Sequence, residues 1–121
     1  MPTADEHIKK AARNENFAEF LATKTKYIDW AVTMLFYAAL HYVDAVLAAS
    51  SIHPSKHAER KDAIERNDTV KRVYSEYRAL ETTSVNARYY AMPIDESDWH
   101  AVKPQFDTLR SHLRNRLGIK D

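Results

Sequence analysis

The chain has 121 residues, enough for one domain with a single core and too few for two. One glycine and four prolines favour helix almost throughout, disfavour loop-rich or all-β folds and exclude glycine-rich phosphate loops. Cysteine is absent, which removes disulfides, thiolate metal sites and a thiolate nucleophile, and a formal charge of +1 leaves nucleic-acid binding to local clustering.

Thr3-Ala-Asp-Glu6 has capping-box spacing and predicts a first helix over residues 4–22, with Ile8, Ala11, Ala12, Ala18 and Leu21 on its apolar side. The N-terminus lacks the apolar stretch of a signal peptide.

A polar connection at 23–26 leads to a central helix over 27–49 that is nearly all apolar. At 100° per residue its polar groups, Asp29, Thr33, Tyr37, His41 and Asp44, fall in one narrow stripe. A helix of this kind is covered on most sides by other helices, while the stripe meets water, a subunit or a site. Its length also permits a membrane span, but Asp44 at depth would cost about 2.5–3.5 kcal/mol and no stop-transfer cluster follows. A buried bundle helix in a cytoplasmic protein with no membrane association is therefore the expectation.

Ser50-Ser51-Ile52-His53-Pro54 breaks the helix. A short third helix is expected from Pro54 or Ser55 to about Asn67. Asp68 or Thr69 is placed to cap a fourth, in which Val70, Val73, Tyr77, Leu80, Ser84 and Ala87 form one seam. Met92-Pro93-Ile94 ends it. A last helix carries Trp99, Val102, Phe106, Leu109, Leu113 and Leu117 on one side until Gly118 stops it, with Pro104 marking either a kink or a first turn. The sum is an all-α, up-and-down four-helix bundle with an additional short helix, a single domain over 1–121.

Phe36-Tyr37-Ala38-Ala39-Leu40-His41 on the central helix, Lys56-His57 opening the next, and Ala87-Arg88-Tyr89 ending the one after resemble the HEPN (higher eukaryotes and prokaryotes nucleotide-binding) superfamily over roughly residues 17–117. The resemblance implies a helical bundle that binds nucleotide or RNA. It also implies a place in a bacterial defence or toxin–antitoxin system and a homodimer; the alternative reading is a non-catalytic dimerisation or partner-binding module for a separate enzyme such as a nucleotidyltransferase. Many members are metal-independent ribonucleases with an Arg, four to six residues and a His. This sequence departs from that pattern. Its Arg-Asn pairs at Arg13, Arg66 and Arg114 lack the histidine, so no family nuclease residue is carried over.

Read from the residues themselves, Tyr37, His41 and Asp44 sit four and three apart and can form a hydrogen-bonded chain, either reactive or a satisfied polar cluster in a bundle or dimer seam. His53 and His57 have metal-ligand spacing, but Pro54 disrupts a shared helix face and no acid completes a site, so no metal and no cofactor are expected. Arg88 lies on the seam of the fourth helix, where a guanidinium needs a carboxylate such as Glu81 or Asp44, or else binds phosphate beside Tyr89. The candidate chemistry is therefore His57 with Arg60 and Arg88, converging on the Tyr37–Asp44 stripe. Arg110 and Arg114, with Arg116 and Lys120, make the better phosphate-facing patch, although a helix C-terminus favours such charges in any case.

Overall fold

A computed structural model describes residues 1–119. It is all helical, with α1 (Ala4–Lys24), α2 (Ile28–Ala49), α3 (His57–Glu65), α4 (Asp68–Lys71), α5 (Tyr74–Tyr89) and α6 (Glu96–Arg116), and there is no strand among the described residues.

The capping box forms as expected. The Thr3 hydroxyl accepts from the Glu6 N–H and the Glu6 carboxylate accepts from the Thr3 N–H, satisfying two groups at the start of α1. A three-residue turn reverses the chain into α2, the axis of the bundle, which α1, α5 and α6 all pack against. Leu35, Phe36, Ala38, Ala39, Val43 and Leu47 are fully enclosed. The four alanines Ala31, Ala38, Ala39 and Ala45, all without exposure, leave room for neighbouring helices to approach closely. By length and apolarity α2 would pass for a membrane span, and 78% of its most apolar stretch is buried inside the bundle.

Three boundaries differ from the sequence expectation. The break after α2 is longer, with Ser51 in the left-handed region (φ 61°), so α3 starts at His57 and leaves His53 outside the helix. The fourth helix is divided, because the short α4 ends at Lys71 and α5 begins at Tyr74. The Asn67 side chain, rather than Asp68 or Thr69, caps α4 by accepting from the Val70 N–H. Finally, α6 starts at Glu96 under a capping box made by Asp95 and Asp98, and runs through Pro104. A mid-helix proline forfeits the bond to the carbonyl four residues back, here that of exposed His100, which water can satisfy.

Two ion pairs close α6 onto α1: Lys103 with Glu19 at 3.1 Å, and Arg110 with Glu15. Since the α6 numbers rise as the α1 numbers fall, the two helices are antiparallel. Four long helices, α1, α2, α5 and α6, thus form the bundle, and α3 and α4 lie in the connection from α2 to α5.

Candidate functional site

The polar stripe of α2 is the organising feature of the site. Its three groups make no chain among themselves. Tyr37 bonds to α5, His41 to α1 and Asp44 to α3, since each stands about one turn further along α2 and meets a side chain from a different helix.

Asp44 and Arg60 form a buried bidentate pair, Nε to Oδ1 at 2.8 Å and Nη2 to Oδ2 at 2.9 Å. Burial alone would lower the Arg60 pKa, but the hydrogen bonds and charge of Asp44 outweigh it and hold the guanidinium above its ordinary value. With both partners enclosed, Arg60 anchors α3 and is not offered to a substrate.

His41 meets His7 of α1, Nδ1 to Nδ1 at 3.0 Å, with ring centroids 5.3 Å apart. One nitrogen must donate and the other accept, so the contact requires at least one neutral ring. Burial lowers both pKa values. For His41 the next cause is His7 itself; for His7 the nearby Asp44 opposes the fall, while His53 and Arg60 add to it. His7 was not among the residues the sequence singled out. Its signal was its place one helical turn before the buried Ala11, which sets it on the packed face of α1.

Arg88 leaves the end of α5 and folds back, donating to the Ser84 carbonyl at 3.2 Å and to the Tyr37 hydroxyl at 2.5 Å. Its guanidinium carbon stands 5.0 Å from the Tyr89 ring centre, 5.3 Å from Tyr37 and 5.9 Å from Phe36. No carboxylate pairs with it among the described residues. Neither Glu81, which faces Arg78 at 3.8 Å, nor Asp44 takes the structural role considered for them. Beside Arg88 lies a cavity of about 100 Å³ shared with Asp29, Trp30, Thr33 and Ala87.

The convergence of His57, Arg60 and Arg88 is not assembled. Arg60 is held at Asp44 and Arg88 at Tyr37, seven residues apart on α2 or about 10 Å along the axis. His57 is exposed at the first turn of α3 and contacts neither arginine. Phe36 contacts both sides, with the Tyr77 ring 5.5 Å away and the Arg88 guanidinium on the same ring.

On α6 the expected basic patch is largely engaged within the protein. Arg110 pairs with Glu15 and lies over the Phe106 ring, and Arg114 donates to the Tyr42 hydroxyl at 3.3 Å. The side of α6 that bears them meets Glu15 of α1 and Tyr42 of α2, so these heads reach inward for partners. Lys120 lies outside the described residues. No group of three or more histidines and carboxylates able to hold a metal occurs among the described residues; His53, outside the helix, has an enclosed Nδ1 without a partner there.

Comparison of the chain with protein-family models, characterised proteins and solved structures finds no match.

Proposed function

We propose that this chain is a HEPN-like, cytoplasmic helical protein that binds nucleotide or RNA, working in a bacterial defence or toxin–antitoxin setting, with Arg88 as its phosphate-binding group. The observation that supports this reading is an arginine with no carboxylate partner among the described residues, held among Phe36, Tyr37 and Tyr89 and opening on the cavity of Asp29 and Trp30. A guanidinium kept in place by an aromatic niche and a phenol keeps its charge available, and its planar fork suits phosphate oxygens. Trp30, 53% exposed, and Tyr89, 71% exposed, supply ring faces on which a base can stack. Cleavage is not part of the proposal, because no imidazole contacts Arg88 among the described residues.

The test is binding of a single-stranded RNA oligonucleotide across a salt series, alongside a cleavage gel with and without chelator. Salt-sensitive binding that weakens about tenfold or more in Arg88→Ala, with the salt slope reduced by about one, is the expected result. Binding absent in the wild type, or indifferent to Arg88→Ala, overturns the proposal.

A second reading is a partner-binding or dimerisation module, homodimeric or joined to a separate enzyme such as a nucleotidyltransferase. Exposed Phe17 and Phe20 near the end of α1, Tyr27 and Trp30 at the start of α2, and Tyr89 and Tyr90 at the end of α5 favour it, since all belong to one end of the bundle. Sedimentation of wild type against Trp30→Glu decides it. A monomer in both, in the absence of other proteins, excludes the homodimer.

A further inference from the structure

The cleft between α3 and α5 holds a cavity of about 170 Å³ that takes no part in the Arg88 site. Its donors converge from both walls. On the α3 side are His57 and Lys61, one turn apart, and Ala58 between them. They surround the start of a nine-residue helix whose N-cap, Lys56, offers no side-chain acceptor, so the first-turn N–H groups are left for a ligand. The Glu59 carboxylate does not fill that role, since it accepts from the N–H and hydroxyl of Ser55 before the helix.

On the α5 side stands Tyr77, only 3% exposed, which lines the cavity and whose hydroxyl makes no hydrogen bond with any described residue. Burial pushes the Tyr77 pKa far above its ordinary 10.0, so the hydroxyl stays protonated and can donate. Glu81 shares the cavity but faces Arg78. Ile64 and Tyr74, the latter stacked on Tyr77 at 6.5 Å, complete an apolar slot.

We propose that this cleft binds a small organic phosphate, its oxyanion held at the start of α3 by His57, Lys61 and the Tyr77 hydroxyl and its body lying against Ile64 and Tyr74. Lys61 brings a positive charge to an oxyanion, and the volume, below the roughly 300–1,000 Å³ of pockets for drug-sized ligands, suits a phosphate with one ring. This site stands independently of the Arg88 reading.

The test is a ¹H–¹⁵N NMR titration of the whole chain with phenyl phosphate, and in parallel with inorganic phosphate. Expected are saturable shifts at the His57 and Ala58 amides, tighter binding of phenyl phosphate, and about tenfold weaker binding in Lys61→Ala and in Tyr77→Phe. The spectra themselves report whether each variant is folded. Non-saturating shifts, affinities unaltered in both Lys61→Ala and Tyr77→Phe, or equal affinity for the two phosphates overturn the proposal. A 5′-phosphorylated trinucleotide separates the sources of the phosphate: tighter binding than phenyl phosphate assigns the site to a nucleic-acid end, weaker binding to a free metabolite.

Discussion

Arg60 grips both carboxylate oxygens of Asp44, at 2.8 and 2.9 Å, with both side chains almost wholly enclosed between α2 and α3. Removing one member leaves the other charged and buried. Asp44→Ala or Arg60→Ala should therefore cost about 3–5 kcal/mol, whereas Asp44→Leu combined with Arg60→Met should recover most of that loss. Urea unfolding of the three variants measures it, and equal losses in the single and double variants would refute the coupling.

The His7–His41 contact makes stability depend on mildly acidic pH. Both pKa values are lower in the folded chain than the ordinary 6.5, so the unfolded chain binds protons more readily. The contribution is fully present above about pH 6.5 and is lost as pH falls through the folded values. Thermal melts between pH 8 and 5 should show a decline in Tm that is reduced in His41→Ala. An identical slope in the variant would show that other groups carry the dependence.

Trp30 and Trp99 are the two tryptophans, one half exposed beside Arg88 and the other in the core. A nucleotide or RNA bound at Arg88 should quench the Trp30 emission, seen cleanly in Trp99→Phe. Trp30→Ala should weaken binding by about 1–3 kcal/mol if a base stacks there. Quenching that survives Arg88→Ala at unchanged affinity would place the ligand elsewhere.

Phe106 of α6 has no exposure and lies 6.3 Å from the Tyr42 ring, with Lys103 and Arg110 over it. Phe106→Ala should cost about 3–5 kcal/mol through lost burial and the cavity left behind. Guanidinium chloride unfolding reads this directly. A cost under about 1 kcal/mol would mean that the bundle collapses to fill the space.

The helical class, the four long helices and the core faces were legible in the chain because each is a local property. Thr3 and Glu6 cap α1 through groups three residues apart, and the apolar periodicities of α2 and α6 follow from 3.6 residues per turn. The division of the fourth helix at Arg72 and Val73 had no proline or glycine to announce it, and the start of α3 at His57 was blurred by the Pro54–Lys56 run.

What the sequence determined by itself about the site was a list of polar groups on one face of α2. Which partner each would take depended on helices brought alongside from tens of residues away. Asp44 reaches Arg60, Tyr37 reaches Arg88 and His41 reaches His7, and no spacing rule contains those pairs. Charge allowed Asp44 to choose Arg88, and helix docking placed Arg60 there instead. Tertiary packing alone therefore decided that Arg60 is neutralised in the interior while Arg88 keeps its charge at the mouth of a cavity, because pairing energy inside a protein is set by burial and geometry as much as by residue type.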